Sequence, residues 1–448
     1  MIIKQSILLS FIFSFPFYSP VFSQYSLALD LVPEKWQGNL LNPANFPKNK
    51  KLVLSFPHLQ GGIQWSPFSL YKSSSKDSLN RIEIDLNSAI QSMDTINRVN
   101  LGTQINTFSI GFSAGENHWI ALGHRFVGRA MIQFSKSLAL LAYQGNKPFI
   151  GENVMLSSRL DALAYQELFL QMGFRWKTDP AISWGFKIKV LEGLTGVKTN
   201  IGEASIYTHP EDYFLTGKIN YLVNTASINT SQPFANLGAA IDIGFQYQTE
   251  KSSFSVAIID VGTILWKNAE QISLNKSITF EGLPLLDGGQ SIDANFDKWV
   301  DSIKTQLTPL REKKSFTSHL PTKLILNGRY SLSKSSHLNG YLFFEKYNKI
   351  LHSTAGVGYL VTLNPWFDMG CNVQYHLNGR IQLSNHIGIN IGNIACFASL
   401  ENWNSLLSMA KKTQGINGQF GLNYVIKSNK SSGQHPRSKM NEKKFFRK

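Results

Sequence analysis

Side chains able to do chemistry are present in this sequence, but not at the spacings that chemistry requires. Among its ten histidines, His376 and His386 come nearest to a constellation. In a hairpin turning at Asn378 and Gly379 they share one polar face. They stand at different distances from the turn, however, and no third ligand accompanies them, so no tetrahedral metal centre is expected. The two cysteines are Cys371 and Cys396. On strands separated by a third, their backbones would lie about 9 to 10 Å apart, beyond the roughly 7 Å limit for a disulfide. Both read as small apolar side chains of one face. A phosphate-binding loop, a dinucleotide fingerprint, a zinc spacing and a nucleophile elbow are all missing. The sequence therefore predicts no enzyme, no cofactor and no metal.

What remains is a diffuse polar set: Glu167, Gln171, Arg175, Lys187, Lys189, Asn372, Gln374, His376, Arg380, Gln382, His386 and Asn390. Each alternates with apolar neighbours. Groups of this kind lining a lumen set the charge selectivity of a pore. They can equally stitch a closed lumen together by hydrogen bonds, and the sequence leaves both open.

The elements that must carry these residues are strands. In "WFDMGCNVQYHLNGRIQLSNHIGINI", residues 366 to 391, Phe367, Met369, Cys371, Val373, Tyr375 and Leu377 oppose Asp368, Gly370, Asn372, Gln374 and His376. After the turn, Ile381, Leu383, Ile387, Ile389 and Ile391 form the apolar face, broken only by Asn385. The same period-2 rhythm runs through residues 167–176 and 182–190 on either side of a turn at 177–181, and recurs near 105–113, 118–128, 236–247, 252–260, 322–331, 337–345, 352–361, 394–400 and 417–426. Two further stretches, 51–65 and 203–223, add up to four strands, giving about 14 within a range of 12 to 16. The stretch at 367–377 alternates for longer than the roughly 5 to 6 residues of a globular strand and matches the roughly 9 to 11 of a tilted membrane strand. The apolar face is thus expected to meet lipid, in an all-β, antiparallel, up-and-down transmembrane β-barrel. Trp176, Trp184 and Trp366 stand at strand ends, where an interfacial aromatic girdle requires them. One short helix is expected inside a long loop, where Phe296, Trp299, Val300 and Ile303 fall at helical spacing.

Composition agrees. Charged residues make up 16% of the chain, below the roughly 25% of soluble domains, while aromatics reach 12%. Residues 1–23 read as an export signal: Lys4, an apolar stretch over 7–17, and a cleavage site at Val21, Phe22 and Ser23. The barrel is expected over 24–426. Residues 427–448 hold eight Lys and Arg against Glu442 alone, a net +7, and read as a solvated, disordered basic tail rather than a nucleic-acid-binding one. If the strand at 417–426 ends in the periplasm, 401–416 and 267–321 become external loops, whereas 248–252, 362–365 and 392–393 become periplasmic turns.

"LLNPANFP" at 40–47, "SFTSHLPTKLILNGRYSL" at 315–332 and the run of hairpins to 426 resemble an uncharacterised family of Bacteroidota outer-membrane barrels. That family is similar, distantly, to long-chain fatty-acid transporters and to barrel subunits of a gliding-associated secretion system. The resemblance implies a place in the cell outer membrane and contact with its lipid. It also implies a porin-like passive channel, or a binder or transporter of small, hydrophobic solutes. The alternative is a structural or secretion-accessory barrel acting through periplasmic or surface protein partners. No N-terminal plug helix is legible in the sequence.

Overall fold

Fourteen strands close on themselves in the computed structural model, which describes residues 35–45, 50–65, 74–76, 81–176, 181–228, 234–280, 305–347, 350–376, 380–403 and 414–427. In chain order the first five are β1 (Lys50–Trp65), β2 (Ile96–Ala114), β3 (His118–Ser135), β4 (Ser158–Trp176) and β5 (Ala181–Thr208). Three interrupted strands follow: β6 (Leu215–Ser227, then Leu237–Gln248), β7 (Ser252–Trp266, then Ala269–Phe280) and β8 (Leu310–Lys313, Phe316–His319, Thr322–Ser331). The last six are β9 (Ser336–Tyr347), β10 (Ile350–Asn364), β11 (Phe367–His376), β12 (Arg380–Ile391), β13 (Ile394–Glu401) and β14 (Gln414–Lys427). Each pairs antiparallel with its neighbour, and β14 pairs with β1, Val425 opposite Val53, so no sheet edge is left at the seam.

Period-2 patterning decides which side chains enter. Along β4, Asp161, Leu163, Tyr165, Glu167, Phe169 and Gln171 are buried inside, while Leu168, Leu170, Met172 and Trp176 are exposed outside. On β5, Trp184, Ile188 and Val190 continue that outer band. Nine residues of tilted strand span about 20 Å, close to the roughly 25 Å apolar band of a membrane barrel. Trp176, Trp184 and Trp366 are exposed where strands meet short turns.

The two ends differ. One carries the short connections 115–117, 249–251, 332–335, 365–366 and 392–393; the other carries 66–95, 136–157 and 402–413. At the long-connection end, β5 outruns the barrel, and its last turns pair with the first segment of β6, which pairs with the second segment of β7. The 203–223 stretch therefore builds a sheet projecting beyond the barrel rather than extra spanning strands.

Two helices occur among the described residues, neither long and apolar enough to cross a membrane: α1 (Leu86–Gln91) and α2 (Lys136–Gln144). Each starts on a side-chain cap. Asp85 accepts from the amides of Asn87 and Ser88, and the Ser88 hydroxyl with those amides holds its carboxyl below the ordinary value. Ser135 caps α2 through Leu138, and Gly145, at φ 72°, ends it. The sequence reading missed both helices. The helix expected around Phe296 to Ile303, the signal over 1–23, the tail beyond Lys427 and the Asn378-Gly379 turn lie outside the described residues.

Candidate functional site: a plugged and ion-paired lumen

Residues 35–45 run inside the barrel, so the "LLNPAN" motif belongs to a plug, where the sequence showed no plug helix and left an open and a closed lumen both standing. It was illegible because only five residues, Trp36–Leu40, form a 3-10 turn and the rest has no regular period. Trp36, Gln37, Asn39, Leu40, Leu41, Asn42 and Ala44 are all buried. Wall residues bond the plug on several sides, while Asn39 Nδ2 is buried without a hydrogen-bond partner. Trp36 donates through Nε1 to Ser109 Oγ at 2.7 Å. Gln37 and Asn423 exchange reciprocal amide bonds of 2.9 and 3.0 Å. Gln171 donates to Pro43 O at 2.9 Å, and Asn42 donates to Phe245 O at 3.1 Å. Lys35 pairs with Asp368 at 2.7 Å. The wall gives way where the plug passes: a Cβ on Gly185 would lie 2.1 Å from Pro43 O, and one on Gly111 2.2 Å from the Trp36 ring.

Beside the plug lies a band of buried charge. Lys189 on β5 pairs with Asp242 on β6 at 2.7 Å and with Asp260 on β7; Lys323 on β8 takes the other oxygen of Asp260. Arg125 on β3 pairs with Glu167 at 2.8 Å, reaches Asp260 at 3.8 Å and donates to Gln104 at 3.0 Å. Arg129 on β3 meets Glu345 on β9 at 2.6 Å, which ties walls six strands apart, and its guanidinium lies over the Tyr347 ring at 4.8 Å. The four cations Arg125, Arg129, Lys189 and Lys323 face the four carboxylates Glu167, Asp242, Asp260 and Glu345, and Lys187, buried beside them, adds a fifth cation that turns to the plug's Asn39 carbonyl. Asp260 has φ 59°, an uncommon conformation for a residue other than glycine. It sits at a bulge where the β6–β7 register slips between Ile241 and Ile243, and its amide donates to Asp242.

Above the ion pairs, toward the long connections, a cleft continuous with solvent, with room for a few water molecules (about 50 Å³), is lined by Gln60, Asn100, Arg129, Tyr165, Glu345 and His352 among others.

The residues singled out from the sequence divide between these zones. Glu167, Lys187 and Lys189 are buried in or beside the charge band; Lys187 donates to the plug's Asn39 carbonyl at 3.3 Å and stands over the Phe169 ring. All three contact protein groups there. Gln171 binds the plug. Asn372 donates to the Tyr341 hydroxyl and Gln374 to Ser384 Oγ. His376 contacts Thr354, Arg175 contacts Ser183, and Gln382 is buried in the wall. His386 and His376 are not brought together: His386 Nε2 meets Asp368 and its Nδ1 meets Ser399, while Asn390 joins Asp368 and Lys35. Arg380 pairs with His376 in register, and its side chain lies outside the described atoms. Among the described residues no group of three metal-ligating side chains gathers. Arg125, Arg129, Asp242, Asp260, Lys323 and Glu345 were missed. Charges at inward positions of otherwise apolar alternations, as in "AAIDIGF", were the available signal.

The fold and its interior define a closed antiparallel β-barrel occluded by its own N-terminal peptide. The chain belongs to a family of unknown function (DUF5723), matched over residues 43–401. Solved barrels resemble it at low identity. The Ralstonia pickettii toluene transporter TbuX is 9% identical, with 86% of this chain and 92% of that one covered at TM-score 0.46. A Pseudomonas aeruginosa FadL homologue is 10% identical, with 92% and 99% covered at 0.45. The translocator domain of the Neisseria meningitidis autotransporter NalP is 11% identical, with 84% and 89% covered at 0.27. No curated protein matches.

Proposed function

We propose that this chain is an outer-membrane barrel that admits a small solute from the long-connection side and passes it when the plug moves. The observation that carries the reading is a solvent-open cavity standing on a peptide plug inside a closed barrel. The outer apolar band supports membrane insertion, and export through residues 1–23 would deliver it. The short turns then face the periplasm. The solute class implied by the family resemblance is hydrophobic. The chain is proposed not to be an enzyme: Ser399, His386 and Asp368 are hydrogen-bonded in a hydrolase-like order, but all three are buried and Asp368 is engaged by Lys35. Fractionation, a heat-modifiability gel and solute-driven swelling of proteoliposomes test the proposal. A detergent-soluble, heat-modifiable protein that speeds swelling supports it; a freely water-soluble chain, or vesicles that behave as empty ones, would overturn it.

A second reading, a secretion-accessory or structural barrel, is favoured by the sheet of β5, β6 and β7 that projects past the band. It predicts a surface or periplasmic protein that cross-links to that sheet. Unaltered surface export in a deletion strain would remove it.

A further inference from the structure

We infer that the cavity above the plug is a binding site for a small zwitterion, of the amino-acid or short-peptide kind, seated between Arg129 and Glu345. The inference rests on the small-solute reading and narrows its solute class away from the hydrophobic one.

Three observations carry it. The Arg129–Glu345 pair is the part of the charge band that solvent reaches: the Arg129 side chain is 25% exposed, against 4% for Arg125 and 1% for Lys189. The pair joins walls six strands apart and lines the cavity, so a solute entering from the long-connection side meets it. The other charged groups lining the cavity, Arg125, Asp260 and Lys323, are engaged in ion pairs of their own, and Lys187 turns to the plug's Asn39 carbonyl instead.

Parting a salt bridge in a poorly solvated lumen strands both ions unless the newcomer replaces each partner. An apolar solute replaces neither. A lone carboxylate satisfies Arg129 and leaves Glu345 uncompensated; a lone ammonium does the reverse. A zwitterion supplies a carboxylate to the guanidinium and an ammonium to Glu345, exchanging one ion pair for two while the net charge of the band is unchanged. Arg129 suits the first contact because its planar fork can bind a carboxylate bidentately. Gln60, Asn100 and His352 line the same cavity and supply polar atoms for a peptide amide.

Binding of dialanine to the purified full chain in nanodiscs, followed by calorimetry, tests the inference against N-acetyl-dialanine, dialanine amide and toluene. Saturable binding of dialanine, at least about tenfold weaker for each blocked form, is expected. Arg129→Gln and Glu345→Gln should each weaken dialanine by a similar factor, and Arg129→Glu combined with Glu345→Arg should restore it. Toluene bound while dialanine is not, or blocked forms bound as tightly as the zwitterion, would overturn the site. Because the blocked-ligand comparison uses the unaltered chain, it holds even if a variant fails to assemble. Dialanine bound but never carried across vesicles would leave this site standing and count against the channel reading; carriage of toluene with no dialanine bound would do the opposite.

Discussion

The backbone of Gly185 faces the carbonyl of Pro43 so closely that a single added carbon would sit 2.1 Å from it. This is a contact between wall and plug backbones, so no flexible side chain can yield. Gly185→Val should therefore expel or tilt residues 35–45 without disturbing the strand pairing outside. Planar-bilayer recordings should show more frequent and longer openings than the parent chain gives. An unchanged record, with residues 35–45 as protease-resistant as before, would show that the plug finds another seat.

If the ion pairs form a barrier in series with the plug, conductance should rise in two steps. Gly185→Val alone should give small openings, and Gly185→Val with Arg129→Gln larger ones. Equal conductance of the single and double variants would mean that the plug is the sole obstruction.

Asp260 accepts from Lys189 and Lys323 and lies 3.8 Å from the Arg125 guanidinium. Asp260→Asn leaves these cations short of a buried counter-charge, for which a loss of about 3 to 5 kcal/mol is the usual scale. Urea unfolding of the liposome-inserted barrel should show the midpoint falling accordingly, and the heat-modifiable band should convert at lower temperature.

Trp36 anchors the plug with one hydrogen bond to Ser109 and ring contact with Trp119 at 5.7 Å. Trp36→Ala removes both, a truncation that costs about 3 to 5 kcal/mol in a packed core. Here the loss should appear as plug mobility: faster hydrogen exchange over 35–45, with the strands unaffected.

The outer band makes the remaining claim testable. Leu170→Arg places a charge on the face read as lipid-exposed and should cost about 2 to 4 kcal/mol near mid-membrane, measured as reduced folding yield into liposomes. A surface bathed in water would tolerate it with no change.

The sequence by itself determined the wall. Strict alternation sends every second side chain to the same face whatever the strand pairs with, so Leu168, Leu170 and Met172 were separable from Glu167 and Gln171 without coordinates, and the number and length of such stretches fixed the strand count near fourteen. Which inward groups meet was beyond its reach. Arg129 and Glu345 are separated by 216 positions and six strands, and they touch only because the sheet closes. The plug was hidden for a related reason: an irregular peptide has no period, and its hydrogen bonds go to Ser109, Gln171, Asn423 and Asp368, residues that only barrel closure gathers around it. Local patterning is written in neighbours along the chain, whereas pairing across a lumen is a property of the closed surface.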